Sequence, residues 1–311
     1  MNKNSKIYLA GHDGLVGSAV LRKLKEEGYT NLAYRTFDKL DLRRQRDVEK
    51  FFNIEKPEYV ILAAAKVGGI LANNTYKAEF IYDNIMIAAN VINTSYKYGV
   101  KKLLNLGSSC IYPKFAEQPM KEDCLLTGAL EPTNEPYAIA KITAIKLSRY
   151  YNEQYGTDFI SVMPTNLYGP HDNFDLKTSH VLPALLRKFH EAKIDNLPSV
   201  TIWGSGTPYR EFLYVEDMVS ACLFIMKNFG HDDIGEIINI GTGKDITIKD
   251  LAHKIKEIVG YDGEISFDKS KPDGPPKKLL NVDKLNDLGW KHKISLEEGI
   301  KRTYHWYLGG N

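Results

Sequence analysis

Lys6-Ile7-Tyr8-Leu9-Ala10-Gly11-His12-Asp13-Gly14-Leu15-Val16-Gly17 reads as an apolar strand, a tight turn and the start of a helix, with its glycines in a G-x-x-G-x-x-G spacing. In such a unit the first glycine permits the tight turn, the second lets the backbone approach a pyrophosphate, and the third lets helix and strand pack closely. The pyrophosphate then faces unpaired N–H groups in the helix's first turn, where Leu15 and Val16 stand. A glycine triplet alone is weak evidence, because an ordinary strand–helix turn can carry one. Here the strand before, the helix after and the βαβ continuation are all present, which predicts a dinucleotide site at Gly11, Gly14, Leu15, Val16 and Gly17.

Outward from this stretch, short apolar runs alternate with amphipathic ones. Residues 6–10, 31–35, 59–62, 102–107 and 158–163 read as strands, several of them apolar enough to be buried on both faces. Residues 15–27, 45–54, 76–98 and 134–155 read as helices. The alternation predicts an α/β fold, a Rossmann-type doubly wound parallel sheet. After Tyr168-Gly169-Pro170 the regularity fails. Residues 172–180 look like a loop, 181–192 a helix and 200–203 a short strand, followed by the glycine- and proline-bearing 204–210. Residues 216–229 return as a helix, 236–240 as a strand, 271–276 as a rigid loop, and a helix near 296–307 closes the chain. The expected division is an NADP-binding domain of residues 1–170 plus about 213–240. A smaller, discontinuous C-terminal substrate domain takes about 171–212 plus 241–311, with a cleft between the two.

A chain of 311 residues can bury cores for both, and 43% hydrophobic with 26% charged residues is ordinary for a soluble enzyme. No run of like charge suggests a nucleic-acid arm, and no apolar run approaches the roughly 18 residues of a membrane span. No signal peptide is expected ahead of the first strand. Cys110, Cys124 and Cys222 are too few and too scattered for a disulfide framework or a zinc site. A reducing, cytoplasmic setting is expected, with no metal.

The cofactor follows from the end of the second strand. An acid there would hold the ribose hydroxyls of NAD, whereas a guanidinium would accept the 2′-phosphate of NADP. Arg35 stands near that point and favours NADP; Asp38, a turn later, leaves NAD open. Tyr137-Ala138-Ile139-Ala140-Lys141 places a phenol and an ammonium one turn apart on a helix face. The ammonium, with the charge of an oxidised nicotinamide, is expected to draw the phenol from near 10 towards useful acid–base range. Ser108 and Ser109, after the fourth strand, fit the place of a second hydroxyl donor. Together these groups can protonate a carbonyl oxygen as hydride arrives.

The fingerprint, Ser108, the Tyr137/Lys141 pair and Asn166-Leu167-Tyr168-Gly169-Pro170 resemble the extended short-chain dehydrogenase/reductases. Within them the chain is most similar to the enzymes that epimerise and reduce GDP-4-keto-6-deoxy-D-mannose. That similarity is carried by residues 63–70 (AAAKVGGI), 108–114 (SSCIYPK) and 163–174 (MPTNLYGPHDNF), and by Trp203, 209–212 (YREF) and 271–274 (KPDG). The resemblance implies that Cys110 and His180 move protons at carbons 3 and 5 of a keto-sugar, Cys110 as base and His180 as acid. It implies further cofactor contacts from Ala64, Ala65, Lys141, Pro164, Asn166, Leu167 and His180, and contacts to a GDP-sugar from Lys188, Trp203, Arg210 and Asp273. Relatives often carry an arginine where this chain has Asp13, which leaves Arg35 most of the 2′-phosphate burden. The resemblance also implies a homodimer pairing through the helices of residues 76–98 and 134–155, a four-helix interface. The expected reaction is 3,5-epimerisation and NADPH-dependent 4-reduction to GDP-L-fucose. Its rivals are a redox-neutral NAD-dependent 4-epimerase or 4,6-dehydratase, for which an acidic pair near Ser108 would speak, and a non-catalytic NADP sensor, for which degraded catalytic residues would.

Overall fold

The computed structural model describes residues 1–271 and 273–310; Pro272, part of the expected rigid loop, lies outside the described residues. Six parallel strands form the main sheet in the order β2-β1-β3-β4-β5-β9. They are β1 (Ile7–Ala10), β2 (Leu32–Ala33), β3 (Tyr59–Leu62), β4 (Lys102–Leu106), β5 (Phe159–Pro164) and β9 (Ile238–Ile240). Side chains alternate between the faces of a strand, and here both faces are covered. Ile7 and Leu9 meet α1 (Leu15–Glu26) and α7 (Val215–Asn228) through Val20, Leu24, Met218 and Met226. Tyr8 and Ala10 point the other way, towards Phe52 of α2 (Gln45–Glu55), Val91 of α4 (Lys77–Lys97) and Ala144 of α5 (Glu135–Tyr155). This is the doubly wound Rossmann arrangement that the alternation predicts. Its winding reverses beside β1, where the chain passes from β2 on one side to β3 on the other, and this opens a crevice at the carboxyl ends of β1 and β3.

A second group of elements packs beside the first. β8 (Tyr209–Tyr214) pairs antiparallel with β10 (Asp245–Thr247) and parallel with β6 (Asn166–Tyr168) and β12 (Lys277–Lys278). β7 (Ser199–Trp203) pairs with β11 (Glu264–Asp268). Their shared core takes Leu186 and Phe189 from α6 (Val181–Ile194), Leu251 and Ile255 from α9 (Ile248–Val259) and Ile300 from α11 (Leu296–Tyr307). Short helices α3 (Ile70–Thr75), α8 (His231–Ile234) and α10 (Asp283–Asp287) complete the chain. Leu285 and Trp290, late as they are, join the core of the six-stranded sheet.

Two differences from expectation have physical causes. The second strand stops at Ala33, its last residue paired to β1, so Tyr34 and Arg35 have left the sheet and reach over its edge. β8 was not expected, because its charged Arg210 and Glu211 break the apolar signature. Glu211 is nevertheless fully buried, its carboxylate satisfied by backbone N–H groups of Thr242, Gly243 and Leu280 at 2.5–3.0 Å.

Candidate active site

The glycine loop is shaped for a close-approaching ligand. Gly11 has φ +83°, and a Cβ there would fall 2.7 Å from the Ala64 backbone at the end of β3. A Cβ on Gly17 would lie 1.8 Å from the Gly11 carbonyl oxygen, so helix and turn can touch only through glycine. Gly14, the N-cap of α1, carries no side-chain cap, and space above it is open, with only the Gly11 oxygen at 3.9 Å. The first-turn amides are thus free to bind an anion. These residues fit a dinucleotide pyrophosphate.

Arg35 is anchored rather than free. It donates to Glu55 at 2.6 Å and to the Tyr34 carbonyl at 2.7 Å, and its guanidinium lies 5.4 Å from the Phe51 ring centroid. Glu55 also holds Lys6 at 2.7 Å, so one carboxylate orients two cations. Asp13 is exposed on the loop and Asp38 is exposed beyond β2.

Ser108, Tyr137 and Lys141 gather at the carboxyl end of β4. Ser108 caps a short 3₁₀ turn, Ser109–Ile111, its hydroxyl accepting from the Cys110 N–H at 3.3 Å. Ser109 is buried in the protein, leaving Ser108 as the half-open hydroxyl. Lys141 donates to the Leu106 carbonyl at 2.6 Å, and its ammonium lies 5.7 Å from the Tyr137 ring centroid. Burial pulls Lys141 down to about 8. It pushes the Tyr137 phenol well above its usual value, with the charge of Cys110 adding to the effect. The sequence reading has the ammonium drawing the phenol down; in the chain alone desolvation wins, and Tyr137 is held protonated, as a proton donor must be.

His180, the N-cap residue of α6, is closely surrounded by protein although solvent reaches it through the cleft. Desolvation by the surrounding protein, then the charge of Lys278, lowers its pKa. Lys278 is the site residue that sequence reasoning missed. β12 pairs Lys278 with Arg210 on β8. Burial lowers the Lys278 ammonium; the charge of Cys110 opposes this, that of Arg210 adds to it, and Glu131 opposes it. A lysine pair after two prolines reads as surface; only its strand pairing brings one member inside.

Arg210 ties β8 to the loop before β12, donating to the Tyr209 and Pro275 carbonyls at 2.7 Å each. A Cβ on Gly274 would fall 2.6 Å from its Nη2. Asp273 accepts from the Ser205 N–H at 2.9 Å and from its hydroxyl at 2.7 Å, which orders the glycine turn after β7. Trp203 is 56% exposed, with the ammonium groups of Lys188 and Lys271 each 5.6 Å from its ring. Lys188 also donates to the Thr201 carbonyl at 3.2 Å. Asn166 donates to the Glu211 carbonyl at 2.7 Å, Pro164 ends β5 and Leu167 lies in β6; Ala65 follows Ala64 out of β3. Charge thus couples Cys110 to Tyr137, Lys141 and Lys278, and Lys278 in turn to His180 and, across the strand pair, to Arg210. Lys188 and Lys271 flank Trp203, while Asp273 holds the Ser205 turn and couples by charge to Arg210. Cys222 is core, its thiol pushed up to about 12 by burial, and Cys124 packs at the edge of another apolar cluster.

A glycine-turn dinucleotide fold with a Ser–Tyr–Lys set at the end of β4 defines a nucleotide-dependent short-chain dehydrogenase/reductase. The chain belongs to the NAD dependent epimerase/dehydratase family, whose model matches residues 7–241, and within it to the GDP-L-fucose synthases. It is 58% identical over 307 residues to GDP-L-fucose synthase 1 of Arabidopsis thaliana, covering 99% of this chain and 94% of that protein. It is 56% identical over 310 residues to GDP-L-fucose synthase of Escherichia coli K12, covering 97% and 96%. Among solved structures, a GDP-mannoheptose C4 reductase from Campylobacter jejuni with NADP bound superposes with a TM-score of 0.92 at 43% identity, covering 99% of each chain.

Proposed function

We propose that this chain is an NADP-dependent enzyme that converts GDP-4-keto-6-deoxy-D-mannose to GDP-L-fucose, inverting carbons 3 and 5 and reducing the carbon-4 ketone. The observation that supports the reading is a thiol, Cys110, whose N–H donates to the Ser108 hydroxyl and whose charge couples to Tyr137, Lys141 and Lys278. A reductase needs the hydroxyls and the ammonium; the thiol and imidazole have work only where protons are also moved.

The protons on carbons 3 and 5 flank the ketone, so removing one leaves an enolate. The Ser108 and Tyr137 hydroxyls stabilise its oxygen. Cys110 Sγ takes the proton from one face. His180 returns a proton from the other face. Its lowered pKa makes the imidazolium, once formed, a strong donor. NADPH supplies the hydride that carbon 4 receives. Tyr137, protonated by burial, delivers its proton to the carbonyl oxygen, and Lys141 steadies the phenolate that remains. Gly11, Gly14, Leu15, Val16, Gly17 and Arg35 hold the cofactor, with Ala64, Ala65, Pro164, Asn166 and Leu167 lining its path. Lys188, Trp203, Arg210 and Asp273 receive the GDP-sugar.

In this reading residues 1–170 with about 213–240 serve the cofactor, and about 171–212 with 241–311 serve the substrate. The chain works as a cytoplasmic homodimer through α4 and α5, whose outer faces carry the exposed side chains Tyr82, Ile139, Tyr150 and Tyr155. The redox-neutral epimerase or dehydratase reading is not favoured: Cys110 stands where an acidic pair would serve a dehydratase.

The test mixes purified protein with GDP-4-keto-6-deoxy-D-mannose and NADPH, follows loss of nicotinamide absorbance, and identifies the sugar by NMR. Stoichiometric oxidation with GDP-L-fucose as product is expected. An unepimerised deoxy-sugar would remove the Cys110 and His180 roles. No oxidation, with NAD released on denaturation, would overturn the reading in favour of a redox-neutral enzyme.

A further inference from the structure

Phe80, on α4, is 2% exposed, and its ring meets that of Tyr137 edge to face, with centroids 6.3 Å apart and planes at 77°. The same ring abuts the loop that follows β3: a Cβ on Gly68 would fall 3.3 Å from Phe80 Cζ. That loop is clamped in place. Asn84 accepts from the Lys66 N–H at 2.8 Å and donates to the Lys66 carbonyl at 3.0 Å. Asn73 donates to the carbonyls of Gly68 at 2.6 Å and Gly69 at 3.1 Å, while the Gly69 N–H donates to the Thr178 carbonyl at 2.9 Å, two residues before His180. Asn84 also donates to the Phe80 carbonyl at 2.7 Å, so wedge and loop share one anchor.

We propose that Phe80 is a positioning residue for Tyr137, a wedge between the clamped loop of residues 66–69 and the phenol that fixes the direction of its hydroxyl. The inference rests on the reading of Tyr137 as the proton donor in reduction. A tyrosine at the first turn of a helix has two free side-chain torsions, and the polar clamp around Phe80 does not touch its ring. Phe80 meets that ring edge to face, while the Lys141 ammonium lies 5.7 Å from its centroid. A smaller side chain at position 80 leaves room for the ring to tilt, and a hydroxyl misplaced by about 1 Å costs on the order of 100-fold in rate.

The variants are Phe80→Leu and Phe80→Met, both smaller than phenylalanine and without its aromatic edge, the second unbranched and more adaptable should the first fold poorly. Each is read by crystal structure, by steady-state kinetics per folded molecule, and by the isotope effect with NADPH deuterated at the transferred position. A displaced Tyr137 ring is expected, with kcat lowered about 10- to 100-fold, KM for NADPH and for the GDP-sugar within about twofold, and a larger isotope effect. Lost packing alone would lower the active fraction and leave the isotope effect unchanged. An unmoved Tyr137 ring overturns the proposal, as does a displaced ring with kcat unchanged. The crystal arm stands whether or not the wild-type enzyme turns over this sugar, so failure of the functional reading is seen separately, in the wild-type assay.

Discussion

Lys141 shows how the site trades stability for chemistry. Its ammonium is 7% exposed, and its pKa falls from 10.5 to about 8 because burial disfavours the charge. A base depressed in the folded state costs stability, fully below pH 8, progressively less between 8 and 10.5, and not at all above. The shift is equivalent to about 3 kcal/mol, of which roughly 1 returns through the bond to the Leu106 carbonyl. Lys141→Met is therefore expected to raise the thermal midpoint at pH 7 by on the order of 4 °C, seen by calorimetry. The same variant loses reduction, and wild-type reduction declines above about pH 8 as Lys141 gives up its proton. A lower midpoint in the variant would mean the ammonium stabilises the fold. Two neighbours separate the half-reactions. Tyr137→Phe removes the proposed proton donor, and reduction is expected to fall about 100- to 10,000-fold with NADPH affinity kept. Cys110→Ser is expected to slow solvent-deuterium wash-in at carbons 3 and 5 by a similar factor, read by NMR; unchanged wash-in would sink its role as base.

β8 is the element on which the substrate side depends. Glu211 lies in its middle, fully buried, with Oε1 accepting from the N–H groups of Thr242 and Gly243 and Oε2 from Leu280. One carboxylate thus joins the turn after β9 to the segment after β12, two residues beyond Lys278. A Cβ on Gly241 would fall 2.3 Å from Glu211 Oε1, so the turn closes only around glycine. Glu211→Gln turns an NH₂ towards backbone donors. It is expected to cost about 2–3 kcal/mol in urea unfolding and to raise KM for the GDP-sugar more than for NADPH; equal effects on both would remove the link to Lys278. α9 was legible and was passed over. Thr247 caps it by accepting from the Asp250 N–H, Leu251, Ala252, Ile255 and Val259 share its buried face, and Gly260 ends it at φ +68°. β8 was not legible, because the burial of Glu211 depends on donors more than 30 and nearly 70 residues away.

Over the whole molecule, an apolar groove runs along α5. Ile139, Ile142, Lys146, Leu147 and Tyr150 recur at helical spacing along one side of α5 and line this groove with Leu126 and Leu130. Under the proposed dimer, Ile139→Lys combined with Tyr150→Lys is expected to yield a monomer in sedimentation velocity with the fold intact; an unchanged dimer would place the interface elsewhere. Among the described residues no helix is long and apolar enough to cross a membrane. The doubly wound sheet, the glycine turn and the spacing of Tyr137 from Lys141 were determined by sequence alone, because each rests on contacts between residues close in the chain or on a short repeating period. Tertiary structure alone decided that Glu55 anchors Arg35, that Tyr137 stays protonated and that Lys278 stands with Cys110 and Arg210. Burial and charge at those points are set by side chains up to 168 positions apart, as 278 − 110 gives for the last pair, and only the fold brings such residues together.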